Sequence, residues 1–165
     1  MNQWYAVYTK PNCERKIGSA LSKKKIIHYI PLLDRSLGMG KKFSSQPLFR
    51  SYIFVSITKE EAHKVLQIPG VINFIYWLGE PVIIRDVEIE IIQRFLAQHK
   101  RVSVEEIEVK RTECVRIISF TEDKNHLRIP PMEMVKVTLP SLGFALVGEK
   151  QKENIKVVLN ESMAV

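Results

Sequence analysis

The side chains that could take part in catalysis or metal binding are few and widely separated. No two of the four histidines stand at the i, i+3 or i, i+4 spacing with which a helix presents two ligands to one metal ion. Cys13 and Cys114 are too far apart for a metal-ligand spacing and provide no disulfide framework. The glycines and lysines at residues 38–42 lack the spacing of a phosphate-binding loop. The sequence therefore predicts no metal site and no cofactor, and the chain is not expected to be an enzyme.

One side of the first predicted helix indicates a ligand instead. At 100° per residue, Arg15, Lys16 and Lys23 fall within an arc of about 100°, opposite the apolar residues of the helix. Clustered basic side chains favour contacts with nucleic-acid phosphates, which give affinity without reading the bases. The alternative, a solvated helix surface, stays open. We call this set the basic ridge; its members are Lys10, Arg15, Lys16, Ser19 and Lys23, with Asn12 as a further candidate for base contact.

The formal net charge of +7 is distributed unevenly along the chain. Residues 1–50, which include Lys41 and Lys42, contain 10 lysines and arginines against 2 acidic residues. Residues 101–165 contain 10 of each kind. A basic surface confined to one part of a protein is typical of binding to a polyanion, most often nucleic acid.

A run of alternating aromatic and aliphatic residues predicts a second candidate surface. Within residues 50–57, Tyr52 and Phe54 share one face of a strand, and the opposite face is aliphatic. This run matches part of the consensus with which RNA-recognition motifs stack on bases, but its small-residue positions are not matched. A single layer of helices covers only one face of a sheet. The aromatic face is therefore either buried by loops or forms a docking surface, on which Tyr8, Tyr52 and Phe54 should be at least partly exposed.

The hydrophobic periodicity predicts the elements that position these residues. Strands are expected at residues 4–9, 26–33, 50–57, 71–77 and 81–84. A first helix runs to about residue 25, a capping box at residues 58–61 begins a short second one, and Asp86 begins a third. The third helix should bury Ile89, Ile92, Phe95 and Leu96. The resulting order β-α-β-β-α-β-β-α predicts an α+β fold, an N-terminal α/β sandwich with an antiparallel sheet.

The pattern changes after Gln98. Residues 101–113 are charged and are predicted to be a linker or a connecting strand. Short strands at residues 114–119, 134–139, 144–147 and 155–159 predict a small β-barrel over residues 114–165 rather than a helical hairpin. Its expected core is Val115, Ile117, Val135, Val137, Leu139, Leu146 and Val158.

The longest uncharged segment, residues 65–79, has 15 residues and contains Pro69 and Gly70. It is too short and too interrupted to span a bilayer, and the first residues are unlike a signal peptide. The sequence therefore predicts a cytoplasmic protein without a membrane partner.

Several ordered blocks resemble the N-terminal (NGN) domain of the NusG transcription elongation factors. They are residues 4–11 (WYAVYTKP), Glu14, residues 29–31 (YIP), 47–55 (PLFRSYIFV), 69–71 (PGV) and 79–82 (GEPV). The resemblance covers roughly residues 1–100. The basic first helix makes the chain similar to the specialised paralogues, such as RfaH and the UpxY-type antiterminators. Residues 114–118 and 135–143 are similar to two strands of the KOW barrel that ends these proteins. The barrel is degenerate, because residues 119–126 lack the glycine of the KOW turn and Glu113 stands where a glycine is often found.

The resemblance implies a non-catalytic factor that binds RNA polymerase and suppresses pausing or termination. It implies docking on the polymerase clamp helices through Tyr8, Phe49, Tyr52 and Phe54. The basic ridge would then face the non-template DNA strand or nascent RNA, and the NusE ribosomal protein and Rho become candidate partners of the barrel. The alternative function is an RRM-like single-stranded RNA-binding module in which Tyr52 and Phe54 stack on bases.

Overall fold

The structure, a computed structural model, describes residues 1–35, 44–107, 117–122 and 132–149, with only the backbone for Arg35, residues 117–122 and Met132. Several predictions fall outside the described residues. They concern Lys41 and Lys42, the glycines and lysines at residues 38–42, the core positions Val115 and Val158, and the strand at residues 155–159. For Ile117, only the backbone position in a strand is described.

The N-terminal part is built on one antiparallel sheet. Its elements are β1 (Gln3–Thr9), α1 (Glu14–Lys23), β2 (Ile27–Tyr29), β3 (Leu32–Arg35), β4 (Ser44–Pro47), β5 (Tyr52–Ile57), a 3-10 turn (Lys59–Glu61), α2 (Ala62–Leu66), β6 (Val71–Phe74), β7 (Tyr76–Trp77), β8 (Glu80–Pro81), β9 (Ile83–Ile84) and α3 (Asp86–Gln98). The strand order is β2-β5-β1-β6, with β9 also beside β1. The α+β class predicted from periodicity is confirmed.

The local signals place most element boundaries correctly. The predicted capping box is present, because the Thr58 backbone N–H donates to Glu61 Oε2 at 3.3 Å. The strand predicted at residues 26–33 is instead two strands, β2 and β3, separated at Pro31. Proline has no N–H to donate to a ladder, so the chain leaves the main sheet there. β3 then pairs with β4 in a hairpin.

The two faces of the main sheet are covered by different elements. On one face, Tyr5, Val7 and Val55 pack in one buried cluster with Ile17 and Leu21 of α1. On the other face, Ala6 and Phe54 belong to a second cluster that contains residues of α3. The predicted stripe of α3 is confirmed at Ile89, Ile92 and Phe95, which are buried, whereas Leu96 is half-buried.

A second antiparallel sheet follows α3. It consists of β10 (Val102–Glu106), β11 (Ile117–Glu122), β12 (Met132–Leu139) and β13 (Phe144–Glu149), in the order β10-β13-β12-β11. The first part of the segment predicted as a linker is therefore the edge strand β10. Of the expected barrel core, Val137, Leu139 and Leu146 are buried and Val135 is half-buried. The period-two pattern of β12 is realised as a strand, not a helix.

The second sheet is joined closely to α3. Only residues 99–101 separate Gln98 from β10. The His99 ring stacks on Phe95 with centroids 4.1 Å apart, and its Nδ1 donates to the Phe95 carbonyl oxygen at 3.0 Å. A Cβ added at Gly148 of β13 would lie 3.0 Å from His99 and 3.1 Å from Phe95. The backbone of β13 can therefore approach α3 this closely only because residue 148 is a glycine.

None of the helices in the described part of the chain combines the length and the hydropathy needed to cross a bilayer.

Candidate functional site

The structure brings together the four aromatic residues that the resemblance assigned to docking. In the β1–β5 register, Tyr8 stands opposite Tyr52 and Ala6 opposite Phe54. The ring centroids of Tyr8 and Tyr52 are 5.8 Å apart, and those of Phe49 and Phe54 are 5.7 Å apart, both in edge-to-face geometry. We call Tyr8, Phe49, Tyr52 and Phe54 the aromatic cluster. The proximity follows from the side-chain alternation of two neighbouring strands.

The aromatic cluster has an exposed part and a buried part. Tyr8 is 39% exposed and Tyr52 is half-buried, whereas Phe49 and Phe54 are 4% and 1% exposed. The expectation that Phe54 is at least partly exposed is therefore wrong. Phe54 stacks on Tyr29 at 6.3 Å and contributes to the core between the main sheet and α3. The surface available in this state is formed by the two tyrosines.

The second sheet covers the inner edge of the aromatic cluster. The Phe144 ring lies 5.5 Å from Phe49 and 6.0 Å from Tyr52, centroid to centroid. Burial raises the pKa of the Tyr52 phenol, and nearby Tyr8 and Glu106 of β10 raise it further. Sequence reasoning missed Phe144, because no local pattern indicates which distant ring will cover a strand.

A buried carboxylate connects α3 to the second sheet. Glu88 is fully buried, and its Oε1 accepts from the Ser141 backbone N–H at 3.0 Å. Its Oε2 accepts from the backbone N–H and the Nε–H of Arg85 at 3.3 and 3.2 Å. These donors compensate the cost of burying the charge. Ser141 belongs to the turn between β12 and β13, so Glu88 links the two parts of the molecule.

The basic ridge lies on the solvent side of α1. All five members are exposed, as the helical periodicity predicted. Arg15 Nη2 donates to the Ser45 carbonyl oxygen of β4, and Ser19 Oγ donates to the Arg15 carbonyl oxygen at 3.1 Å. Within the described residues, Lys10, Lys16 and Lys23 have no acidic side chain in ion-pair distance. Their ammonium groups are therefore available to phosphates.

The basic ridge and the aromatic cluster face different directions. The apolar side of α1 packs on the Tyr5 and Val55 face of the main sheet, and the aromatic cluster lies on the opposite face. Among the described residues, no group of three or more His, Cys, Asp or Glu side chains could hold a metal ion. The geometry is that of two separate binding surfaces on one α+β unit.

Comparisons with known proteins agree with this geometry. The sequence model of the family described as "Transcription termination factor nusG" matches residues 2–93, more than half of the chain. A solved structure of Thermotoga maritima NusG, described for its domain interaction, has the same fold. It is 21% identical, covers 92% of this chain and 94% of its own, and has a TM-score of 0.54. A search of curated proteins finds no match.

Together, the α+β unit with its two surfaces and the small β-rich unit define a transcription elongation or termination factor. The chain belongs to the NusG family. Proteins of this family bind RNA polymerase and are transcription factors rather than enzymes.

Proposed function

We propose that this protein is a specialised NusG paralogue of the RfaH/UpxY type, which suppresses pausing or termination by RNA polymerase in the cytoplasm. Its docking surface on the polymerase clamp helices is the aromatic cluster, Tyr8, Phe49, Tyr52 and Phe54. The observation that carries the proposal is the pairing of Tyr8 with Tyr52 on adjacent strands, with Tyr8 39% exposed. Tyrosines of this kind are typical anchors at the desolvated centre of protein interfaces.

Docking acts on transcription through a conformational equilibrium. A protein that binds both sides of a clamp more tightly in its closed state shifts the population toward that state by its differential affinity. Closed clamps pause less often in this proposal, and no covalent step is needed. The contribution of each anchor is expected to be about 2 kcal/mol or more, because truncation leaves a desolvated pocket unfilled.

The inner part of the aromatic cluster requires a movement before it can dock. Phe49 is buried, and the ring of Phe144 lies 5.5 Å from it. A helical partner that contacts Phe49 must therefore displace Phe144 and the β12–β13 turn. Tyr8 and Tyr52 provide the initial contact, and the second sheet yields afterwards.

The basic ridge is proposed to contact nucleic acid near the transcription bubble, either the displaced non-template DNA strand or nascent RNA. Lys10, Lys16 and Lys23 are exposed and have no carboxylate partner among the residues described. Because the ridge and the aromatic cluster lie on opposite faces of the main sheet, both surfaces can be occupied together. NusE and Rho are proposed as partners of the second sheet on the family resemblance alone.

The alternative is an RRM-like module that stacks single-stranded RNA on Tyr52 and Phe54. The burial of Phe54 argues against it, since a ring that is 1% exposed offers no face to a base. Titration with single-stranded RNA separates the two functions. Stacking predicts salt-sensitive binding that is lost in Tyr52→Ala.

The proposal is tested in a reconstituted elongation assay with purified bacterial RNA polymerase. The double variant Tyr8→Ala/Tyr52→Ala should lose polymerase binding and pause suppression. Tyr76→Ala is the matched control, because Tyr76 is 47% exposed and stands outside the aromatic cluster. Equal activity of the double variant and the wild type, with both folded, would exclude docking through this surface.

A further inference from the structure

Glu14 is a buried carboxylate to which no role has been assigned. It is the first residue of α1 and is only 5% exposed, although acidic side chains in a first helical turn usually face solvent. Its Oε1 accepts a hydrogen bond of 2.7 Å from the backbone N–H of Ser51, which is 37 positions away in the chain. The carboxylate therefore reaches from α1 to the turn that precedes β5.

The turn that Glu14 holds has an unfavourable backbone. Ser51 has φ +63°, in the left-handed region that favours glycine. The Tyr52 N–H donates to the Phe49 carbonyl oxygen at 3.4 Å, and the Ser51 carbonyl oxygen accepts from the Thr9 N–H at 2.9 Å. A non-glycine residue keeps such a conformation only where its surroundings enforce it. The charge-assisted bond from Glu14 is one of the two contacts that fix Ser51.

The two ends of this turn are members of the aromatic cluster. Phe49 precedes the turn and Tyr52 follows it, so the backbone angles at residue 51 set the direction of both side chains. The Tyr52 ring meets Tyr8 at 5.8 Å, and the Phe49 ring meets Phe54 at 5.7 Å. A relaxed Ser51 would change both pairs at once.

We propose that Glu14 is a positioning residue of the docking surface. Its carboxylate holds Ser51 in the left-handed conformation and thereby places Phe49 and Tyr52 for their partner. The inference rests on the proposed function of the aromatic cluster. It adds a residue that touches neither the partner nor any aromatic ring of the cluster and acts only through the turn.

Three variants of the full chain test this role by their affinity for RNA polymerase. Glu14→Ala should weaken binding by about tenfold, because the turn loses the acceptor that orders two interface anchors. Glu14→Gln should bind nearly as the wild type does, since its amide oxygen still accepts from the Ser51 N–H. Adding Ser51→Gly to Glu14→Ala should restore most of the affinity, because glycine adopts a positive φ at no steric cost.

Amide hydrogen exchange distinguishes positioning from general stability. In Glu14→Ala, exchange should accelerate at Ser51 and Tyr52, while β1 and α3 stay protected. Glu80→Ala, at an exposed glutamate in β8, is the control and should change neither readout. Unchanged affinity in Glu14→Ala, or no rescue by Ser51→Gly, would overturn the inference. If the wild type itself fails to bind polymerase, the proposed function fails, and exchange at Ser51 still decides whether Glu14 orders the turn.

Discussion

The ring of Phe144 lies 5.5 Å from the ring of Phe49, although the first belongs to the second sheet and the second to the turn before β5. The two sheets therefore share one apolar cluster, which also includes Phe54, Ile92 and Leu146. The surface proposed for polymerase is partly occupied by the protein's own C-terminal part. Exposure of Phe49 and attachment of the second sheet are alternatives for the same apolar area.

Phe144→Ala should raise the affinity for polymerase while lowering the stability of the free protein. Removal of the ring takes away a contact that competes with the partner at Phe49 and Tyr52. It also leaves a half-buried cavity that costs about 1–3 kcal/mol of unfolding free energy. Binding titration and urea denaturation measure the two effects. Leu78→Ala, at a side chain that is 78% exposed, should change neither. Weaker binding of Phe144→Ala would show that Phe144 belongs to the docking surface itself.

Glu88→Ala should destabilise the junction between α3 and the second sheet. The Ser141 N–H and the Arg85 N–H would lose their acceptor in a site where Glu88 is fully buried, at a cost of about 1–3 kcal/mol. Denaturant unfolding measures this. Glu90→Ala on the same helix is the control. The Glu90 pair with Arg94 is 3.8 Å long and exposed, so its loss should cost less than about 1 kcal/mol. Equal losses in both variants would contradict the role of Glu88 as a link.

Tyr29 should make the protein less stable at strongly alkaline pH. Burial raises the pKa of the Tyr29 phenol from 10.0 to about 12. Between these values, the unfolded chain releases this proton and the folded protein keeps it, so unfolding is favoured as the pH rises through this range. The contribution of Tyr29 is fully retained below pH 10 and lost by about pH 12. Absorbance of the phenolate should show one late-titrating tyrosine that is absent in Tyr29→Phe, and the denaturation midpoint of that variant should fall less between the two pH values. Identical curves would contradict burial of the phenol.

Charge reversal on the basic ridge should weaken nucleic-acid binding in a salt-dependent manner. Lys16→Glu and Lys23→Glu each remove a phosphate contact, and each lost contact with a single strand should reduce the log–log salt slope by about 0.7. Binding of labelled single-stranded DNA at several salt concentrations gives the slope. Lys100→Glu, at an exposed lysine beyond the end of α3, is the control for net charge. A slope that does not change in the ridge variants would leave the ridge as a solvated surface.

The sequence by itself determined the elements whose order is local. Alternation of side chains assigned Tyr52 and Phe54 to one strand face, and the 3.6-residue period placed Lys16 and Lys23 on the exposed side of α1. Both signals depend only on residues a few positions apart, and the backbone geometry converts them directly into faces. The apolar stripe of α3 was predictable for the same reason.

Only the tertiary structure decided which parts of these faces are covered. Glu14 meets Ser51 across 37 positions and Glu88 meets Ser141 across 53, and no local period encodes such pairs. β10 was predicted within a linker because its sequence is polar. As an edge strand it buries Val102 and leaves Ser103, Glu105 and Glu106 exposed. Phe54 is buried rather than exposed because α3 and the second sheet pack over its face, and the choice between core and surface for an apolar ring is made by whatever removes it from water.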